Sequence, residues 1–584
     1  MLSLDRPFTY ELDGSLGAGV GSLVQVPFHG RAVRGWILGP SDDVPGRVLA
    51  VRKVMSPVRF FDDRMLELLK WVSGRYVAPL ASVIARSHPP RVASEEARAS
   101  QRDSSYRSGP ARGPIRQPAV LEGYRGGGEL LEDIGRGGGR FIVRPDPLDE
   151  VQLAVDAVGV ALSSGHTAIV LVPEAEPLPA TASGVAEVFG ARTAMFVGGD
   201  KRERYRMWLD VLAGRYVCVV GTRPAVFAPL PRVGIVWISR ESHSGHREER
   251  SPYYHVRDVA LARARLGSGT CVMSAQCPSA EATGSDATLV SPRRRAWPAV
   301  EVVKPGPEGR APRLVAAVRD TRRAFLYEPL PGSGIAQICR ACKSPANCGS
   351  CAGPLRREEG VTRCLVCAAP GRCAVCGSRD FGVRSGGAER VERWAARTAA
   401  VPVRRLRPGE RPARSGVEEI SVGGSEAVKD LGALRMRLVG ILDADLALRR
   451  PGIGAVERAL ATWMEAAGWA RPDGRVIVQT QHPNDPAVQS LVAGNPDRFH
   501  RAEVARRQRA GFPVGHPVFR VVGARDIAGA IGAMQPTTLL ASEAEGQTVC
   551  LLALAPDRVE EFGRLARELS ARGVIARVEA EPHL

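Results

Sequence analysis

Residues 339–376 read CRACKSPANCGSCAGPLRREEGVTRCLVCAAPGRCAVC, four Cys-x2-Cys pairs separated by five, twelve and five residues. Two residues between cysteines let both sulfurs turn to one side, which suits a tetrahedral thiolate ion at about 2.3 Å. Four pairs supply two complete four-sulfur sites with nothing left over. The symmetric spacing favours a nested arrangement. Cys339, Cys342, Cys373 and Cys376 are expected around one zinc, and Cys348, Cys351, Cys364 and Cys367 around a second. Every position of each site is filled by protein, so neither keeps the open position of a catalytic zinc, and both ions are expected to be structural. The remaining cysteines, Cys218, Cys271, Cys277 and Cys550, are scattered. Cys218 and Cys550 lie in apolar runs and read as buried small side chains.

Outward from this cluster, 584 residues are too many for one core and imply three to five domains. The formal charge of +18 points to a polyanionic partner. Only six of the cationic residues are lysine, so a compositional bias toward Arg, Ala and Gly is an alternative source of that excess. The first ten residues, MLSLDRPFTY, do not form a secretory signal, and no run approaches the ~18 apolar residues of a membrane span. A cytoplasmic, nucleoid-associated protein without membrane contact is expected. Disulfides are rare in that compartment, which leaves metal as the reason for clustering eight cysteines.

Residues 1–96 read as a small mixed domain. Leu23–Phe28 and Gly35–Gly39 form short strands around a basic turn, His29-Gly30-Arg31, and a helix spans Asp62–Tyr76. Residues 97–138, rich in Gly, Arg and Ser, read as a flexible basic linker, either plain or in contact with phosphates. Apolar strands then alternate with helices over 139–290, including strands at Phe141–Val143, Ala168–Val172, Tyr216–Val220 and Val233–Ile238 and helices at Glu150–Leu162 and Lys201–Leu212. That alternation predicts a mostly parallel sheet covered on both faces. A second α/β block covers 291–336 and 380–515, with strands near Ala324–Tyr327, Val417–Ile420, Leu438–Leu442 and Val476–Gln479, and the cysteine module at 337–379 interrupts it. Residues 516–584 read as a last small α/β domain ending in a helix over Asp557–Ala571.

The eight cysteines, inserted in the second of two α/β blocks, resemble the primosomal protein N-prime (PriA) family of replication restart proteins. Other segments agree with that family in order: Arg6-Pro7-Phe8-Thr9-Tyr10, Val26-Pro27-Phe28, Val170-Leu171-Val172-Pro173-Glu174, Val219 to Phe227, Tyr254-His255-Val256-Arg257-Asp258 and Val478 to Pro483. The resemblance implies an N-terminal domain that binds a DNA 3′ end, two RecA-like helicase lobes carrying the two-zinc module, and a small C-terminal domain.

The motor itself departs from the pattern. A phosphate-binding loop needs donating backbone amides, a Lys on the β/γ-phosphates and a Ser or Thr on Mg²⁺. No Gly-Lys dipeptide occurs in the chain. Counting back from Val172-Pro173-Glu174, Glu150 stands in the place of the phosphate-binding Lys, and Pro145 and Pro147 have no N–H to give. Ser239-Arg240-Glu241-Ser242 replaces the acidic Mg²⁺ motif. Near Ala466 to Arg471, Trp469 takes the place of one arginine of a paired motif. The lobes are thus expected to be a degenerate scaffold, as in actinobacterial-type homologues, with no catalytic or nucleotide-binding residues and no use of ATP.

What remains is DNA contact. The resemblance assigns Phe8 to stacking on a terminal base and sets Thr9 where an Asp is usual. Arg31, Arg34, Arg52 and Lys53 are candidate phosphate partners. Ordinary core packing is the competing reading of Phe8 and Phe28. The runs Arg293–Arg295 and Arg506–Arg509 would line a DNA path or form a solvated face. The implied function is recognition of abandoned replication forks and help in reloading the replicative helicase. Implied partners are forked and single-stranded DNA with a 3′ end, primosome and helicase-loading proteins, and single-strand-binding protein. Two alternatives stay open: an active ATP-dependent helicase with a divergent nucleotide site, and a zinc-ribbon scaffold for protein docking.

Overall fold

A computed structural model describes residues 5–582 except 44, 102–117, 307–308, 330–335, 343, 345, 347, 351–354, 359, 365–368, 384–386, 433, 449, 451 and 545. Its centre is an eight-stranded sheet in the order Tyr124–Arg125, Thr288–Pro292, Gly139–Val143, Thr270–Ser274, Val233–Ser239, Thr167–Leu171, Cys218–Gly221, Thr193–Phe196. All neighbours are parallel except the first pair. Successive residues of a strand point to opposite faces. Ile169 and Leu171 therefore enter one core while Ala168, Val170 and Val172 enter another, all fully buried. This is the two-sided burial that a parallel sheet requires.

The two faces are covered differently. Helices Glu150–Ser163 and Ala180–Phe189 cover one. The other is shared by three parts of the chain: helix Asp63–Arg75 of the N-terminal domain, helix Val256–Gly267 of the lobe itself, and the C-terminal unit through Phe519 and Phe562. Asp5 carries this closure further, because its carboxylate accepts from Arg567 Nε of the last helix at 3.0 Å and from the Leu80 amide at 2.8 Å.

The expected flexible linker is corrected over its second half. Residues 118–138 carry helices Ala119–Glu122 and Gly127–Arg136, which bury Leu121, Leu130 and Ile134 against the first lobe. Asp156 accepts from the amides of Val120 and Leu121, each at 3.1 Å, and fixes the first helix. The glycines serve close packing here. A Cβ on Gly127 would lie 1.9 Å from the Leu121 carbonyl oxygen. Residues 102–117 lie outside the described part.

The second lobe is a six-stranded parallel sheet in the order Ala299–Val303, Ala470–Gln479, Met436–Ile441, Arg323–Tyr327, Glu419–Gly423, Val403–Arg405. The strand expected at Val417–Ile420 is found two residues later. The cysteine module leaves the sheet after Arg323–Tyr327; the chain returns through helix Gly387–Thr398 to edge strand Val403–Arg405, and Glu419–Gly423 then fills the place between these two strands, so the sheet closes beneath the insertion. The C-terminal unit follows a β-α-β-β-α-β order with an antiparallel four-stranded sheet, and its last helix is Val559–Ala571. The N-terminal domain is a three-stranded antiparallel sheet of Ser22–Phe28, Arg31–Trp36 and Lys53–Arg59. No helix among the described residues is long and apolar enough to cross a membrane.

Candidate functional site

Three places inherit the residues singled out from the sequence: the cysteine module, the interlobe cleft and the N-terminal sheet. In the module, the Sγ atoms of Cys339, Cys342, Cys373 and Cys376 all lie within 4.8 Å of one another. The closest pairs, Cys339–Cys376 and Cys342–Cys373, are 3.5 and 3.6 Å apart. Four thiolates at ~2.3 Å around a tetrahedral ion are about 3.8 Å apart, so the group can hold a metal ion. The turn after Cys373 is shaped for this. The Val375 amide donates to Cys373 Sγ at 3.4 Å and Gly377 takes a positive φ of 70°. Cys339 and Cys373 are buried, and Cys376 is exposed. Of the expected inner group, Cys348 and Cys364 are buried beside Leu355 and Phe381 in the module's small core. Cys351 and Cys367 lie outside the described residues. Cys218, Cys271, Cys277 and Cys550 are buried apart from the cluster, as side chains of the lobe and C-terminal cores.

In the cleft, strand Gly139–Val143 ends at the C-terminal edge of the sheet and passes through residues 144–149 into helix Glu150–Ser163, the turn where an α/β protein usually cradles phosphate. This turn is committed to protein. The Tyr124 hydroxyl donates to Asp149 at 2.8 Å and accepts from the Asp146 amide at 2.9 Å, while the Asp149 amide donates to the Asp146 carbonyl at 3.0 Å. The second lobe presses on it, since a Cβ on Gly468 would lie 3.1 Å from the Pro147 Cβ.

Glu150 points at the end of strand Val233–Ser239, and its carboxyl accepts from Ser239 Oγ at 3.2 Å. Arg240 follows in a left-handed conformation, φ 51°, and its guanidinium joins both lobes. It donates to Glu174 Oε1 at 2.7 Å and to the Val428 carbonyl at 2.9 Å, and pairs closely with Glu465. Lys429 pairs with Glu174 from the second lobe. Burial, with Asp430 and Glu465 close by, pushes the Glu150 carboxyl up to about 8, Arg240 and Ser239 opposing. The same burial favours the protonated form of this carboxyl. His246, with Nε2 2.8 Å from the Ser239 carbonyl oxygen, is held neutral by burial, at about 4. Trp469 is buried against Phe325, ring centres 4.8 Å apart.

An acid whose folded value is raised opposes folding increasingly as pH climbs from its unfolded value of 4.5 to about 8. Glu150→Gln is therefore expected to be more stable than the native chain at pH 7.5, by on the order of 2–3 kcal/mol. The gap should close as pH falls toward 4.5. Denaturant midpoints across that range check it, and a variant less stable at pH 7.5 would refute the assignment.

On the N-terminal sheet, Phe8 is 43% exposed and meets Phe28 edge to face with ring centres 4.9 Å apart, under the Arg6 guanidinium. Phe28 pairs across the hairpin with Arg31. By the alternation of the pleat, Arg34 and Lys53 flank Gln25 on the opposite face. Arg52, two residues before Val54, falls on the Phe28 face by the same alternation. Thr9 Oγ1 donates to the Asp43 carbonyl at 3.0 Å and is half-buried. The Arg506–Arg509 run, in contrast, is largely structural. Arg507 is buried between Glu281, Glu457 and Glu503, and Arg506 pairs with Glu503.

Residues 1–89 match the family described as 3'DNA-binding domain (3'BD). The replication restart protein PriA of Treponema pallidum is 28% identical over 560 residues, covering 87% of this chain and 83% of that protein. The probable replication restart protein PriA of Mycobacterium tuberculosis is 29% identical over 567 residues, with the same coverage of 87% and 83%. That of Bacillus subtilis is 25% identical over 407 residues, 62% of this chain and 50% of that protein. Among solved structures, the Escherichia coli DEAH/RHA helicase HrpB is 14% identical with a TM-score of 0.35, covering 62% of this chain and 42% of that one, a likeness too loose to bear on function. The N-terminal domain of this chain thus matches the 3' DNA-binding domain family, and the chain is similar along most of its length to replication restart proteins PriA.

Proposed function

We propose that the protein recognises abandoned replication forks through the 3′ end of a nascent strand and helps reload the replicative helicase there, without hydrolysing ATP or unwinding DNA. The observation that carries the second half of this reading is the filled cleft, where Arg240 is engaged by Glu174 and Glu465 and the Glu150 carboxyl by Ser239, so these side chains are committed to one another instead of to phosphates and Mg²⁺. The first half is supported by the 3′ DNA-binding match over residues 1–89 and by the exposed Phe8 ring. In this reading the terminal base stacks on Phe8, which is worth roughly 1–3 kcal/mol. Thr9 contacts the terminal sugar, Arg31 and Arg52 hold phosphates on the Phe28 face, and Lys53 meets the strand's backbone from the opposite face of the sheet. The module binds two zinc ions, one in each cysteine quartet, as folding elements. The proposed partners are forked DNA, the helicase-loading proteins of the primosome and single-strand-binding protein, and the proposed location is the cytoplasm, on the nucleoid.

The test is fork affinity with a free or a chemically blocked 3′ end, with and without ATP. Blocking the end should weaken binding about tenfold, and Phe8→Ala should produce the same loss on open ends and none on blocked ones. Affinity should fall steeply with salt and ignore ATP. Indifference to the block would sink the 3′-end reading, and DNA-stimulated ATP hydrolysis would sink the non-enzymatic one.

A further inference from the structure

The cleft holds more charge than the loss of a nucleotide site explains. Deletion of phosphate and metal ligands needs only neutral replacements, yet two cations and three carboxylates meet here: Arg240 and Glu174 from the first lobe, and Lys429, Asp430 and Glu465 from the second. The guanidinium of Arg240 is the hub, touching Glu174 beside it and the Val428 carbonyl and Glu465 across the cleft. Lys429 closes the loop back to Glu174. Asp430 makes a separate tie. Helix Ala180–Phe189 has Pro179 before it and no side-chain cap of its own. Its first amides are satisfied from the other lobe instead, Ala180 N donating to the Asp430 carbonyl and Thr181 N to Asp430 Oδ2, both at 2.9 Å.

A second belt lies further along the same seam. Arg144 donates to Asp497 at 2.7 Å and Asn495 at 2.8 Å, and Arg507 joins Glu281 of the first lobe to Glu457 of the second. Apolar contact runs between the belts, with Cys277 of the first lobe buried in the core of the second.

We infer that Arg240, Glu174, Lys429, Asp430 and Glu465 form a permanent clamp that fixes the two lobes in one relative arrangement. A motor alternates between open and closed clefts, and a ligand can drive that change only through different contacts with the two states. This cleft supplies the closing contacts itself, from side chains that never leave. The lobes then act as one rigid body on which other surfaces are mounted. The inference needs only the interlobe geometry, so it fails separately from the fork-binding reading.

Arg240→Met in the full chain tests it. The change leaves Glu174 and Glu465 facing each other without their shared cation, the circumstance in which a broken buried pair is most disruptive. Amide exchange at Ala180 and Thr181 should rise by at least about tenfold, and the radius of gyration from small-angle scattering should increase, with far-UV circular dichroism retained. A folded variant whose exchange and radius match the native chain would overturn the clamp. Lys429→Met, at the more exposed edge, should show the same changes in smaller measure even if Arg240→Met does not fold, and no change there counts against the clamp. In the native chain, scattering and exchange should be identical with and without Mg-ATP. A nucleotide-induced change in either would also overturn it.

Discussion

Cys373→Ser is expected to abolish metal uptake at the outer cysteine quartet and to unfold residues 336–383 as a unit, leaving both sheets intact. Cys373 sits at the centre of the module. Its sulfur faces Cys342 at 3.6 Å, its backbone bridges to Cys348, and its side chain belongs to the small core with Leu355 and Phe381. That core is far too small to offset chain entropy, and a structural zinc typically supplies about 10–16 kcal/mol to such a unit. The rest survives because Arg323–Tyr327, before the insertion, pairs directly with Glu419–Gly423, the second strand after it, so the sheet's hydrogen bonds do not pass through the module. Elemental analysis should give two zinc ions in the native chain, and protease should nick the variant within the module before any other site. A chelated protein that resists protease there would show that the fold does not depend on the ion. A content of one ion per chain would restrict the metal to Cys339, Cys342, Cys373 and Cys376.

Asp258→Ala should cost about 3–5 kcal/mol, the range for breaking one partner of a buried pair. This carboxylate is where three parts of the chain meet. It accepts from Arg75 at 3.3 Å and the Tyr76 hydroxyl at 3.1 Å in the N-terminal domain, and from Arg257 at 3.1 Å in the first lobe. Arg75 in turn reaches Glu581 of the C-terminal unit at 3.5 Å. Burial alone would raise the Asp258 carboxyl, but Arg257 and Arg75 outweigh it and hold the group at about 2. Its folded value is depressed, so the stabilisation is complete above the ordinary carboxylate value near 4 and vanishes as pH falls through 2. Denaturant midpoints of native and variant chains should therefore differ most at neutral pH and converge in acid. A pH-independent difference would mean that lost packing, not charge, explains it. Asp258→Asn, which can still accept from Tyr76, should fall between the two.

The sequence was most readable where spacing alone carries the chemistry. Cysteine pairs declare their ligands locally, and the outer quartet converges as the nested reading expected. Apolar runs such as Ala168–Val172 announced a strand buried on both faces. Reading failed where the deciding partner is remote. The glycine-rich stretch around Gly127 resembled a linker because Leu121, against whose backbone it packs, and Asp156, which holds the helix before it, acquire their meaning only in three dimensions. Arg506–Arg509 read as a solvated face or a DNA path because Glu281 and Glu457, which bury Arg507, lie 226 and 50 residues away. For the same reason Ser239-Arg240 registered only as a missing motif. Glu174 and Glu465 stand 66 and 225 residues from Arg240, so the loss of one function could be read while the gain of an interlobe tie could not.

The tie between Asp5 and Arg567 bears on how a branched ligand would be measured. A DNA-end pocket carried on a tether samples many directions and can report only that an end is present. Here the domain bearing Phe8 is locked between the first lobe and the last helix, with its bearing set by Asp5, Arg75 and Asp258. A strand end seated on Phe8, as proposed, would then leave the protein along one fixed line. On the proposed reading, duplex arms that diverge from it at the wrong angle would meet the lobes instead of solvent, so the molecule would act as a protractor for junctions as well as a detector of ends.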